Sequence, residues 1–183
     1  MRSVKVGAVS ILEGDAYKEV KRMWRFFEKE FNSRAIQNFP HPHLSFQGGI
    51  CEDIKVIDAD LEKLSARIKP FFIIVEGINT FEKPERAIFW EVIKTKPLQR
   101  VNQKIDASLQ KYCSQTFQLY SPQHWHPHIT LAQRDLTPTN FQKAQKDLRN
   151  YHPQYKLKVH NICLVRWYDN DKKIRIYKKY VLE

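Results

Sequence analysis

A six-residue pattern occurs twice in this chain and constrains its fold more than any other feature. Residues 41–46 read His-Pro-His-Leu-Ser-Phe and residues 126–131 read His-Pro-His-Ile-Thr-Leu. In a β-strand, side chains two residues apart share a face. Each copy therefore predicts an imidazole beside a hydroxyl, with His43 next to Ser45 and His128 next to Thr130. If the two halves of the chain face each other, both pairs converge on one cleft.

The two predicted pairs have the groups that phosphodiester cleavage needs. A base must remove a proton from the attacking hydroxyl or water, and an acid must protonate the leaving oxygen. Histidine, with an ordinary pKa of about 6.5, can do either near neutral pH. The hydroxyls of Ser45 and Thr130 can donate hydrogen bonds to phosphate oxygens. A single His-x-Ser occurs by chance, but two copies in the same frame and context indicate a functional site.

Apolar periodicity and turn residues predict alternating strands and helices along the chain. Strands are predicted at 4–12, 43–47 (closed by Gly48-Gly49), 71–75, 87–93, 128–132, 155–165 and 174–181. Helices are predicted at 16–31, 57–68, 98–112 and from 137 onward. Because several strands follow one another as hairpins, we expect an α+β fold with mainly antiparallel sheets. Residues 94–97 are the predicted boundary between an N-terminal lobe of about 1–93 and a C-terminal lobe of about 97–183.

Charge and cysteine content suggest the partner and the compartment. The formal net charge of +11 favours a polyanionic partner such as RNA or a nucleotide. Cys51, Cys113 and Cys163 are widely spaced and odd in number, which predicts reduced thiols in a cytoplasmic protein. The N-terminus has no signal-like apolar stretch. The apolar run at 71–75 is too short to span a membrane, so no membrane association is expected.

The paired motifs resemble those of the 2H phosphoesterase superfamily, particularly its 2′-5′ RNA ligase-like branch. Residues 71–77, Phe81 and residues 86–90 look like the family's middle segment, and the C-terminal strand pair also fits. The resemblance implies one 2H domain over 1–183, with two lobes, helices outside each sheet and the active cleft between them. It implies no metal or cofactor, and we expect a monomer. Its activities include opening 2′,3′-cyclic phosphates, cleaving small cyclic or 2′-5′ linkages, and joining 2′-5′ RNA ends reversibly.

Carried onto this sequence, the resemblance places catalysis on His43, Ser45, His128 and Thr130. Two further residues are candidate substrate contacts. Many relatives have an arginine directly after the second motif, whereas here Gln133 takes that place and Arg134 follows on the opposite face of a regular strand. Arg134 is therefore either a phosphate ligand or a surface residue. Trp125 either stacks on a base or packs its loop against the lobe.

Two alternatives remain open from the residues. The alternating histidines His124, His126 and His128 could bind a transition metal in a metal-dependent phosphoesterase. Pro42 and Pro127 interrupt regular extension there, and no carboxylate or cysteine lies close in sequence to complete such a site. The second alternative is an RNA-binding protein with an idle site, which the basic charge and aromatic content would suit.

Overall fold

The fold was determined as a computed structural model that describes residues 3–183, apart from the side chain of Lys172. The strands are β1 (Val4–Ile11), β2 (His43–Cys51), β3 (Phe71–Phe81), β4 (Ala87–Val92), β5 (Cys113–Thr116), β6 (His128–Gln133), β7 (Gln154–Val159), β8 (Asn161–Tyr168) and β9 (Asp171–Val181). The helices are α1 (Gly14–Phe31), α2 (Ile54–Ser65), α3 (Lys96–Tyr112) and α4 (Pro138–Asp147). Two short 3₁₀ helices cover Ala35–Asn38 and Gln118–Tyr120.

The strands form two antiparallel sheets, which confirms the predicted α+β class. One sheet has five strands in the order β5-β2-β1-β8-β9, and the other has four in the order β6-β4-β3-β7. Every neighbouring pair is antiparallel. Each sheet forms one lobe of the two-lobed arrangement.

The predicted division into lobes at residues 93–97 does not separate the two sheets, because each sheet contains strands from both halves of the chain. β8 and β9, from the C-terminal half, complete the sheet that begins with β1 and β2. β3 and β4, from the N-terminal half, pair with β7 and β6. A strand's apolar pattern reports its burial but not its partner, so pairing across the halves could not be read from the pattern.

The predicted strand over 155–165 is two strands in different sheets. β7 pairs with β3, whereas β8 pairs with β1, and the chain changes sheet at His160. Asn161 fixes this crossing, because its side chain accepts a hydrogen bond from the Ile11 amide and donates one to the Ile11 carbonyl, both at 2.9 Å. Both segments are extended and partly apolar, so sequence periodicity does not reveal the crossing.

β2 continues through Gly48 and Gly49, which were expected to end it. A Cβ atom at Gly48 would lie 2.7 Å from the ring of Phe117, and one at Gly49 would lie 2.6 Å from the carbonyl oxygen of Gln115. The glycines therefore permit close approach of β5 and the segment after it, rather than a turn. β5 itself was not predicted, because Cys113–Thr116 is short and largely polar.

The core lies between helices and sheets, and α1 shows how the sequence builds it. Its predicted apolar stripe is buried, as expected for an amphipathic helix: Val20, Met23, Trp24, Phe27 and Phe31. α1 contacts β6, and α3 contacts β2. The helices thus support the two strands that carry the repeated motif.

The prediction of three reduced thiols is wrong. Cys51 and Cys113 form a disulfide, with their Cα atoms 4.2 Å apart, while Cys163 is free and buried. The two bonded residues lie opposite each other in the pairing of β2 with β5. Because β5 was missed, sequence reasoning could not place them together. No helix within residues 3–183 is long and apolar enough to cross a membrane.

Candidate active site

The two copies of the motif lie at the starts of two strands from different sheets. His43 is the first residue of β2, and His128 is the first residue of β6. β2 and β6 contact each other where the sheets meet. Burial is the main cause of the lowered pKa of His43, and the charge of a protonated His128 lowers it a little further. The fold therefore brings the two motif strands into contact, which is the condition under which the repeat predicted a shared cleft.

Both imidazoles are held by the same hydrogen bond. Nδ1 of His43 lies 2.7 Å from the carbonyl oxygen of His41, and Nδ1 of His128 lies 2.7 Å from that of His126. A carbonyl can only accept, so each Nδ1 carries the proton and donates it. In the neutral ring Nε2 then has the free lone pair. The His-Pro-His sequence thus fixes the tautomer of its second histidine through the carbonyl of its first.

Aromatic side chains pack against each imidazole. The ring of Phe39 lies edge-on to His43 with centroids 5.0 Å apart, while Phe81 and Phe89 lie 5.2 and 4.9 Å from His128. Burial lowers the pKa of His43 to about 4 and also lowers the pKa of His128, with the carbonyl hydrogen bonds opposing both shifts. Both rings are therefore neutral at pH 7 in the free protein.

A cavity of about 530 Å³ opens beside the motifs. His43, Ser45, Thr130 and Arg134 line it, so it draws on both sheets. Among the described residues, His128 does not itself line the cavity. It lies two positions before Thr130 on the same strand. The volume lies in the range of pockets that hold small molecules.

Arg134 reaches this cavity because the strand ends before it. β6 stops at Gln133, and Arg134 adopts a left-handed backbone with φ of 70°. Its amide donates to the carbonyl of Arg86 at 3.0 Å, and its Nε donates to Glu85 at 2.8 Å. The expectation that Arg134 lies on the opposite strand face assumed continued extension, which the left-handed turn ends.

Trp125 does not face the cavity, so the base-stacking alternative is wrong for this residue. Its side chain is 2% exposed. The indole Nε1 donates to the carbonyl of Ser45 at 3.1 Å, and the ring packs against Phe46 with centroids 6.0 Å apart. Trp125 packs its loop against β2, which is the second of the two roles that the sequence left open.

Tyr120 was missed by sequence reasoning, yet it lines the cavity beside Ser45. Burial raises the pKa of its phenol, while the nearby Arg134 charge opposes that shift. Asn102 ties this segment to β2, because its amide donates to the carbonyls of Phe46 and Tyr120 at 2.8 and 3.1 Å. Tyr120 lies in a 3₁₀ turn without periodicity, so no pattern marked it.

Asp135 is a second residue that the sequence did not single out. Its carboxylate accepts hydrogen bonds from the Ser33 hydroxyl and from the amides of Arg34 and Ala35, at 2.5, 2.6 and 2.7 Å. It thereby caps the 3₁₀ helix at 35–38, part of which lines the cavity. This link fixes the segment next to Arg134.

The other histidines near the motifs have protein partners. His124 Nδ1 lies 2.9 Å from the Ser121 hydroxyl. His126 Nε2 lies 2.7 Å from Glu91 Oε1, close enough for an ion pair when the ring is protonated, although it makes no hydrogen bond of regular geometry. Across residues 3–183, no group of three or more His, Cys, Asp or Glu side chains is arranged to hold a metal ion.

Comparison with known families identifies the chain's relatives. A model of the 2′-5′ RNA ligase superfamily matches residues 13–171. The chain belongs to this superfamily. The match spans both histidine motifs and most of both sheets, which confirms the resemblance noted from the residues. The superfamily supports a phosphodiester-cleaving enzyme that acts on RNA-related substrates.

Solved structures share the fold of this superfamily member. TT0787 of Thermus thermophilus superposes with a TM-score of 0.65 at 14% identity, covering 97% of each chain. Escherichia coli LigT in its apo form has a TM-score of 0.62 at 14% identity, covering 100% of this chain and 99% of its own. The complex of LigT with 3′-AMP gives 0.62 at 14% identity, covering 99% of each chain. No curated protein sequence matches significantly.

Proposed function

We propose that this protein is a metal-independent phosphodiesterase in which His43 and His128 act as a general acid–base pair. Its substrates are 2′,3′-cyclic phosphate ends of RNA, or small cyclic or 2′-5′-linked nucleotides. The observation that carries the proposal is the matched pair of Nδ1 hydrogen bonds, to His41 and to His126. Each bond leaves the Nε2 lone pair of its neutral ring free to accept a proton.

In the proposed hydrolysis, one imidazole Nε2 takes a proton from water as the water oxygen bonds to phosphorus. The bond from phosphorus to the 2′ or 3′ oxygen breaks, and the other imidazolium protonates that oxygen. Each positioned acid or base contributes about 10²–10⁴-fold. The roles exchange in the reverse direction, and a 5′-hydroxyl in place of water would give 2′-5′ ligation.

The acid must be protonated, although burial lowers the pKa of both histidines. A bound phosphate anion raises the pKa of a nearby imidazole, because its negative charge stabilises the imidazolium. Substrate binding therefore creates the protonation state that the acid needs. The free protein, with both rings neutral, is ready to supply the base.

The proposed phosphate ligands are the hydroxyls of Ser45 and Thr130 together with Arg134. All three residues line the cavity. Hydroxyls and a guanidinium donate hydrogen bonds to the non-bridging oxygens, where charge increases in the transition state. Glu85 holds Arg134 in the absence of a phosphate, and a phosphate would compete with that carboxylate for the guanidinium.

The net charge of this chain and the ligands bound by a protein of the same fold support a nucleotide substrate. The formal net charge of +11 favours capture of polyanions. LigT of Escherichia coli, which has the same fold, has been crystallised with 3′-AMP and with ATP. A monomeric state and a cytoplasmic location remain predictions.

The decisive experiment is a turnover assay on 2′,3′-cyclic nucleotides and on an oligonucleotide ending in a cyclic phosphate, with and without EDTA. We expect linear monophosphate products at equal rates in both conditions. Binding without any product would support the idle-site RNA-binding alternative instead. Loss of activity in EDTA and rescue by zinc would support the His-ligated metal-dependent alternative.

A further inference from the structure

The cavity extends beyond the motif residues to an aromatic pair. Phe117 and Trp167 line its far end with ring centroids 6.1 Å apart and planes inclined by 43°. Both side chains are half-buried. Neither residue has a role in the proposed acid–base chemistry, so their place in the same cavity needs another explanation.

Two glycines lie on the sheet beneath these rings, and one of them is required for the position of Phe117. Gly7 and Gly48 are opposite each other in the pairing of β1 with β2, and both line the cavity. A Cβ atom at Gly48 would lie 2.7 Å from Phe117, which is too close, whereas one at Gly7 would lie 3.6 Å from Trp167, in ordinary contact. A side chain at Gly48 would therefore displace Phe117 from the cavity wall.

The charges at this end are paired with one another. Lys5 pairs with Asp169, and Arg175 pairs with Asp171. Both aspartates line the cavity. An end with balanced charge and aromatic walls suits an uncharged planar group better than a second phosphate. Arg134, at the motif end, differs because its partner Glu85 is not among the lining residues, so its charge is the one that a phosphate in the cavity can meet.

We propose that Phe117 and Trp167 bind the nucleobase next to the phosphate that the histidines act on. This inference rests on the proposed function. Gly48, beneath Phe117, follows Ser45 by three strand residues, about 10 Å at the rise of a β-strand, a distance that a ribose and base can bridge. Base–aromatic stacking tolerates any base, so this subsite favours nucleotides over other cyclic phosphates without selecting one base.

The first test compares a 2′,3′-cyclic nucleotide with a base-free ester, 1-O-methylribose 2′,3′-cyclic phosphate. For Phe117→Leu and Trp167→Leu we expect kcat/KM on the nucleotide to fall about 5- to 100-fold, with little change on the base-free ester. Phe72→Leu is the matched control, because Phe72 is an aromatic residue 52% exposed and outside the cavity lining. Equal losses on both substrates, or none, would overturn the base subsite.

A second test does not depend on turnover. Trp24, Trp90 and Trp125 are at most 2% exposed, so Trp167 is the one of the four tryptophans that a ligand can reach. In a His128→Ala background, added 3′-AMP should quench tryptophan fluorescence, and Trp167→Phe should remove that quench. A quench that persists in Trp167→Phe, or none at all, refutes base binding at this pair.

The two tests separate the inference from the function on which it rests. If the wild-type protein turns over no substrate but the Trp167 quench is present, the proposed function fails and the base subsite stands. If turnover is present without base dependence or quench, the reverse holds. Adding an oligonucleotide with a cyclic phosphate end beside the mononucleotide shows whether the base comes from an RNA end or from a free nucleotide.

Discussion

The indole Nε1 of Trp125 donates a hydrogen bond to the backbone carbonyl of Ser45 over 3.1 Å. Trp24 makes the corresponding bond to the carbonyl of Thr130 at 3.0 Å. Each hydroxyl residue of the repeated motif is therefore anchored by a buried tryptophan from the other half of the chain. These bonds fix the backbone of β2 and β6 where the two motifs approach each other.

Replacing Trp125 by Phe should therefore affect both stability and turnover. The variant loses one buried hydrogen bond, which costs about 1–3 kcal/mol because the Ser45 carbonyl is left without that donor. Trp90→Phe is the control, because Trp90 is buried but bonds Tyr151 instead of a motif strand. We expect similar urea midpoints for both, with kcat lowered only in Trp125→Phe. Equal kcat in the two variants would contradict the positioning role.

Replacing either His43 or His128 by Ala should reduce turnover by orders of magnitude while the fold persists. Each imidazole is half-buried at the start of its strand and contacts one or two aromatic rings, so truncation leaves most of the core packing in place. The expected loss is about 10²–10⁴-fold for each variant, measured as kcat on a cyclic nucleotide. His152→Ala, at an exposed position, should be unchanged. Substantial activity in either motif variant would refute the assignment.

The lowered pKa of His43 predicts a specific pH dependence of stability. Its pKa is about 4 in the folded protein, against an ordinary value of 6.5. Between these values the unfolded chain binds more protons, so the free energy of unfolding falls as pH drops below about 6.5. The pKa of His128 is also lowered, which adds to the effect.

Urea unfolding of the wild-type protein and of His43→Gln at pH 4.5, 5.5, 6.5 and 7.5 would measure this effect. Glutamine does not titrate, so the variant should lose less stability across the range, by about 1–3 kcal/mol. The pKa values of some acidic groups, such as Glu13 and Glu19, are lowered in the folded protein. The stability that these carboxylates contribute is lost when they are protonated, at a lower pH than the histidine effect. Identical pH profiles would show that burial of His43 does not lower its pKa.

The ion pair between Arg134 and Glu85 predicts opposite effects of two substitutions. Arg134→Gln removes the proposed phosphate ligand and should raise KM about tenfold or more. Glu85→Gln keeps the arginine and removes its competing carboxylate, so KM should stay the same or fall. Steady-state kinetics on a cyclic nucleotide give both values. A raised KM in both variants would mean that the pair acts as a structural unit.

The disulfide between Cys51 and Cys113 predicts one free thiol in the unfolded, unreduced protein and three after reduction. Thiol titration under denaturing conditions distinguishes these values. Reduction, or Cys113→Ser, should lower the free energy of unfolding by about 2–4 kcal/mol, because the bond closes a loop across a sequence separation of 62. Treating a Cys51→Ser, Cys113→Ser double variant with reductant is the control and should have no further effect.

Several elements followed directly from local pattern. The apolar stripe of α1 and the period-two alternation around each His-x-Ser or His-x-Thr are visible without any partner, because helix and strand geometry repeat along the chain itself. The repeat also indicated that, if the two halves of the chain face each other, the motifs of His43 and His128 converge. By contrast, β5, the change of sheet at His160 and the Cys51–Cys113 bond depend on residues far away in sequence.

The sequence by itself determined the paired motifs, the α+β class and which side chain faces of β2 and β6 carry the imidazoles. Only the tertiary structure decided that the sheets mix both halves of the chain, that Trp125 is buried, and that Arg134 and Tyr120 reach the cavity. The physical reason is that periodicity records whether a residue is buried, whereas pairing partners and backbone turns depend on contacts between distant segments.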